Sequence, residues 1–146
     1  MGLNQALDIS VSGIEAERRT MELISSNLAN INTTRSIYGG PYRRKMPVLS
    51  EVPMSSFADE LARAEDKLAV TGGGVEVVDV VEDMTPFQTV YNPGHPDANA
   101  MGYVDMPNVN MSNEMVDMIY TSKVYEANIT AFNATKKMMT DTLQLP

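Results

Sequence analysis

Both ends of the chain repeat an apolar residue every three or four positions for about thirty residues, and few folds accommodate that. The N-terminal series reads Leu3, Leu7, Ser10, Ile14, Glu17, Met21, Ile24, Leu28 and Ile31, with seven of nine apolar. Glu15, Arg18, Arg19 and Glu22 fall off that stripe. The C-terminal series reads Met111, Met115, Met118, Ser122, Tyr125, Ile129, Phe132, Lys136, Met139 and Leu143, with eight of ten apolar. Each predicts an amphipathic α-helix with a heptad-like seam. Asn110 or Ser112 can cap the second helix. Glu114 and Asp117 then suit the positive end of its dipole, and Lys136 and Lys137 the negative end. Gly13 weakens the first helix by about 1 kcal/mol relative to Ala.

The middle has a different period. "YRRKMPVLSEV" (42–52), "GVEVVDVVEDM" (74–84) and "FQTVY" (87–91) are rich in Val or alternate, and read as strands. Turn signals stand at Gly39-Gly40-Pro41, Gly72-Gly73-Gly74 and Pro93-Gly94-His95-Pro96. Between the first two strands Phe57, Leu61, Ala64 and Leu68 are at helical spacing, with Ser56 and Asp59 placed as a capping pair, so a short helix is expected there. The expected fold class is α+β: long amphipathic terminal helices with a heptad-like seam and a small β-rich middle. The expected divisions are residues 1–34 and 111–146 for the two helices and 35–110 for the β-rich segment.

Length adds a constraint. Helices of about 28 and 33 residues are roughly 42 and 50 Å long. A compact globule of 146 residues is only about 38 Å across. The fold is therefore expected to be elongated, with seams that need partners, most simply copies or relatives of the same chain.

Composition removes several classes of function. The net charge of −8, from 19 acids and 11 bases, disfavours nucleic acid and anionic lipid as partners. With no cysteine, neither disulfides nor thiolate metal sites exist, and twelve Met and no Trp leave a soft, adaptable apolar content. "MGLNQALDISVSG" lacks the basic and apolar blocks of a cleavable signal peptide, and Ala6 breaks the myristoylation pattern. His95 is the only histidine and sits in a Pro-bounded turn. No nucleophile elbow, P-loop or dinucleotide fingerprint occurs, and adjacent acids such as Glu82 and Asp83 are ordinarily solvated. "DANAMGYVDMPN" (97–108) begins like a calcium loop but has Met101 and Asn108 where ligands belong, so a turn with Asx hydrogen bonds is expected instead. Neither enzyme activity, metal, cofactor nor small-molecule substrate is expected.

The asparagines pose a question, because Asn is a poor helix residue. Asn27 and Asn30 share a face beside Leu28 and Ile31. Asn128 flanks Ile129, and Asn133 flanks Phe132. Two readings stay open: solvated surface amides, or polar seam residues that fix register at a cost in stability. The candidate assembly residues are Leu7, Ile14, Met21, Ile24, Asn27, Leu28, Asn30, Ile31 and Asn32 at one end. At the other they are Met115, Met118, Tyr125, Asn128, Ile129, Phe132, Asn133 and Met139.

"SNLANINTT" (26–34) resembles the N-terminal signature of bacterial flagellar rod and hook axial proteins, and "YEANITAFNATKKM" (125–138) resembles their C-terminal helix. "GGPYRRK" (39–45), "NPGHPDANAMGYVDMPNVN" (92–110) and "EMVDMI" (114–119) narrow the resemblance to the proximal-rod members of the flagellar basal-body rod family. It spans nearly the whole chain and is poorest over 47–71, a stretch expected to vary. The resemblance implies a structural subunit that polymerises with copies of itself and other rod proteins into a helical tube crossing the periplasm, with the terminal helices (1–34 and 111–146) packed as a coiled-coil core along the inner tube and the β-rich segment 35–110 facing outward. It also implies torque passed from the rotor ring to the distal rod and hook, contact with rotor-ring adaptor proteins, and export unfolded through the flagellar type III apparatus without a cleaved signal. The alternatives are another axial protein of that family, or a helical adaptor that forms no ordered polymer.

Overall fold

A computed structural model describes residues 3–37, 39–52 and 73–144 of the chain. The order of elements is α1 (Leu3–Ala29), β1 (Lys45–Glu51), β2 (Val75–Glu82), β3 (Gln88–Tyr91), β4 (Tyr103–Met106) and α2 (Met111–Leu143). The class is α+β; the described residues form two long helices and two small antiparallel sheets, β1–β2 and β3–β4. The helix expected over residues 55–70 lies outside the described residues. Among the described residues no helix is long and apolar enough to cross a membrane.

Both helices begin or end on side-chain chemistry that the sequence carries. Asn110 caps α2: its Oδ1 accepts the Asn113 N–H at 3.2 Å, and its carbonyl accepts the Glu114 N–H at 3.0 Å. Asn30 stops α1. Its Nδ2 donates to the Ser26 carbonyl at 2.9 Å, and its Oδ1 accepts the Thr33 hydroxyl at 3.1 Å. An amide that satisfies the last carbonyls of a helix locally gives the backbone a reason to leave it.

The chain divides into two compact units. The first comprises Met1–Arg18, Leu49–Val78 and Lys123–Pro146. Here α1 and α2 meet closely at Gly13, where an added Cβ would stand 2.9 Å from Asn128 Nδ2. Sequence reasoning sees in Gly13 only a weak point of the helix, whereas the structure uses its missing side chain to seat an amide. Gly74 is similar. Its φ of 130° suits glycine, and a Cβ there would collide with the Ser12 hydroxyl. That hydroxyl accepts the Val75 N–H at 3.1 Å, which ties the start of β2 to α1.

The second unit comprises Arg19–Val48 and Asp79–Ser122. Its helices run antiparallel: Asn27 meets Glu114, while Met21 Sδ accepts the Ser122 hydroxyl at 3.8 Å. Ile24, Val104 and Val109 form its buried apolar core. Strands β3 and β4 pair in the register Gln88↔Met106 to Tyr91↔Tyr103, with the two end tyrosines edge to face at 5.2 Å. The turn between them closes on Asn99, whose Oδ1 accepts the N–H groups of Met101 and Tyr103 at 2.9 and 3.0 Å. Strand β4 lies within the segment expected to be a turn, so the loop with calcium-like spacing runs into a strand before it ends.

Candidate functional site

The feature that sets the second unit apart is a buried polar cluster where an apolar seam would be expected. Glu114 has 0% of its surface exposed and Asn27 1%, and both are among the largest fully buried side chains. A buried carboxylate is costly unless it is paired and hydrogen-bonded. Here it is both. Oε1 of Glu114 accepts from Nε of Arg44, and Oε2 accepts from Nδ2 of Asn27 at 3.1 Å. Nη2 of Arg44 reaches on to Asp117 at 3.0 Å, so one guanidinium bridges two turns of α2.

Asn27 uses every polar capacity it has. Nδ2 donates to the Lys45 carbonyl at 2.9 Å as well as to Glu114, and Oδ1 accepts the Lys45 N–H and the Tyr42 hydroxyl, each at 2.9 Å. The side-chain amide thus pairs with one backbone residue in both directions, as a neighbouring strand would. No other residue type of this length offers two donors and one such acceptor. The first residue of β1 is fixed to α1 by a helix side chain.

Around this clamp a second amide does related work. Asn108 Oδ1 accepts the Arg44 N–H at 2.9 Å, and its Nδ2 donates to the Asp83 carbonyl and the Thr85 hydroxyl, each at 2.9 Å. The Asp83 N–H donates to the Arg44 carbonyl at 2.8 Å. A backbone hydrogen bond from Thr85 holds the Asp83 carboxyl below its ordinary pKa, and the guanidiniums of Arg44 and Arg43 act in the same direction. Among the described residues, no buried side-chain nitrogen or oxygen lacks a partner. The arrangement has no free nucleophile or base. What it can do is hold the lead-in to β1, the end of β2 and both helices in one geometry.

The candidate assembly residues separate into groups. In the second unit Ile24 and Asn27 are buried; Met21, Leu28, Asn30, Ile31 and Met118 are half-buried; Asn32 and Met115 are exposed. In the first unit Leu7, Ile14, Tyr125, Asn128, Ile129, Phe132 and Met139 are half-buried, and Asn133 is exposed. The early α2 seam does not continue the inner face. Met111, Met115 and Ile119, with Val116 and Tyr120 beside them, form an apolar stripe open to solvent. Sequence reasoning missed Tyr42, Arg44, Asn108 and Glu114 as a group. Their only signal was the run of Asn and charge beside helix ends.

Comparison with known proteins agrees with this layout at both ends. Residues 7–35 match the family described as flagella basal body rod protein, and residues 100–145 match the one described as flagellar basal body rod FlgEFG protein C-terminal. A flagellar basal-body rod protein FlgC of Bacillus subtilis is 44% identical over 96% of this chain and 95% of its own length. The protein of that name in Borreliella burgdorferi is 36% identical, and that in Salmonella typhimurium 38%, each over 99% of this chain and 98% of its own length.

Proposed function

The chain belongs to the FlgC family of flagellar basal-body rod proteins, and from that membership we propose that it polymerises with other axial proteins into the helical tube of the proximal rod. It is a structural subunit of the flagellar basal body. The tube passes torque from the rotor ring toward the distal rod and hook. One observation carries this reading: the similarity to several FlgC proteins runs almost end to end. The open stripe on α2 supports it, because an apolar face left uncovered by its own chain is a surface for a neighbour.

In this proposal residues 1–34 and 111–146 of neighbouring subunits pack as a coiled-coil wall, and residues 35–110 face outward. The partners are copies of the chain, other rod proteins and rotor-ring adaptor proteins. The chain leaves the cell unfolded through the flagellar type III export apparatus and takes its place in the part of the rod that spans the periplasm. The test is whether the chain is present in purified basal bodies of motile cells, together with the substitution Ile129→Asp. A charge forced into a packed helix interface without a partner costs roughly 3–5 kcal/mol. Ile129→Asp should therefore abolish motility while leaving the chain exported. Absence of the chain from the basal bodies overturns the assignment. Near-normal swimming of Ile129→Asp cells removes Ile129 from the interface.

A further inference from the structure

Beside the clamp, within the second unit, lies a groove of about 620 Å³ between the loop after α1 and the approach to β1. The loop is folded back tightly, with the Ser36 N–H donating to the Gly40 carbonyl at 2.8 Å and both Gly39 and Gly40 at positive φ. It carries Ile37 to the rim, where the side chain is 98% exposed. Tyr42 and Phe87 line the walls, with Arg43 stacked 4.3 Å above the Phe87 ring and Lys45 Nζ 5.9 Å from the Tyr42 centroid. Arg35, 81% exposed and 3.9 Å from Asp97 at the loop's outer side, adds a third cation, and Glu82 is the one acid among the described lining residues. The chain as a whole has 19 acids against 11 bases, so this wall inverts the charge of the molecule around it. An acidic, partly apolar occupant is what it complements.

We propose that the groove receives strand β2 of a second copy of this chain. Strand β2 has that composition: Glu76 shares one face with the exposed Val78 and Val80, and Asp79 stands on the other. Among the described residues it has one strand neighbour, β1, in a two-stranded sheet, so beyond Val75, whose N–H is held by Ser12, its other edge can take an added contact. Acids three positions apart on a strand project to opposite faces, which suits a segment held between cationic walls. Glu82, the last residue of β2, stands on the groove wall, but residues 76–80 are not among its described lining, so groove and segment are different surfaces of one chain; the contact is heterologous and propagates from copy to copy, as a helical tube requires. The inference rests on the rod assignment and names which surfaces of this chain meet within the rod.

The absence of cysteine makes the test clean. Cells carrying Ile37→Cys with Val78→Cys are oxidised mildly, and basal bodies are purified and run on a non-reducing gel. The double variant should give linked dimers and higher multimers of the chain, and each single variant should not. Adding Arg35→Glu with Arg43→Glu should lower the linked fraction about tenfold, and further addition of Glu76→Lys with Asp79→Lys should restore it. Absence of linked dimers from basal bodies that contain the chain overturns the contact. So does a yield indifferent to the charge reversal, or linkage of Ile37→Cys only to a different rod protein. Absence of the chain from the basal bodies overturns the rod assignment itself, and this contact with it.

Discussion

Replacing Asn27 by Leu separates two meanings of a polar residue on an apolar helix face. In a coiled-coil seam a lone Asn fixes register at the expense of stability, and Leu in its place strengthens association. Here the amide makes four hydrogen bonds within the chain. Asn27→Leu would strand the Lys45 N–H and carbonyl and one oxygen of Glu114, while the Tyr42 hydroxyl keeps its contact to Ser26 Oγ at 3.4 Å. A buried polar group deprived of its partner costs about 1–3 kcal/mol. The two Lys45 groups are half-buried and can recover water, so they contribute about 1 kcal/mol each, whereas Glu114 is fully buried and contributes at the high end, about 3 kcal/mol. Allowing about 1 kcal/mol for the added apolar burial, the expected net loss is about 4 kcal/mol, a large part of the ~5–15 kcal/mol that holds a typical domain. The assay is urea unfolding of the isolated chain followed by circular dichroism, with the midpoint read at unchanged slope. A double-mutant cycle with Glu114→Gln should show coupling above about 0.5 kcal/mol. A stability change below about 1 kcal/mol for Asn27→Leu, or a gain, would refute the clamp.

Asn30→Leu removes the amide that closes α1 and should cost about 1 kcal/mol by the same assay, with unfolding of α1 nearest its end seen by hydrogen exchange. Gly13→Ala should be close to neutral alone, since the roughly 1 kcal/mol of helix propensity gained is offset by displacing Asn128; with Asn128→Ala it should become stabilising. Burial raises the Glu17 carboxyl above its usual pKa of 4.5, so stability is lost as pH rises from that value through the folded one, and Glu17→Gln should stabilise the chain at neutral pH. Asp83 has the opposite sign: its contribution is present above its usual pKa of 3.8 and lost as pH falls through the lowered folded value. Asp83→Asn should therefore lower the midpoint at neutral pH and flatten the acid limb of a stability titration.

The helices were legible in the sequence because a long 3.6-residue period is a strong signal, and strands β1, β2 and β3 because branched or alternating residues between dense turn signals leave few alternatives. Strand β4 was not legible. Its four residues, Tyr103–Met106, sit among Asn, Gly and Pro that speak more strongly for a turn. The clamp was half legible. The sequence places Asn27 oddly and Glu114 in the first turn of a helix, where the dipole alone accounts for an acid. What brings them together is a contact between residues 87 positions apart and a bond to the backbone of Lys45, which no side-chain pattern announces. The inner face of early α2 was misleading for a related reason. Periodicity marks an apolar stripe but not which neighbour covers it, and Met115 faces solvent while Met118 is half-buried.

The bonds from Asn27 to residue 45 read only an N–H and a carbonyl, which every residue except proline supplies. The two ends of the clamp therefore differ in their freedom to vary. Position 27 admits almost nothing but asparagine, while position 45 can change its side chain without disturbing the fold. That asymmetry separates architecture from surface chemistry at a single residue. The main chain of Lys45 is held inside, and its ammonium is free to evolve. A lineage could thus retune the charge beside Tyr42 by single substitutions, each neutral for folding. A saturation scan scored for stability should show it directly, with a bare column at position 27 and a tolerant one, broken only at proline, at position 45.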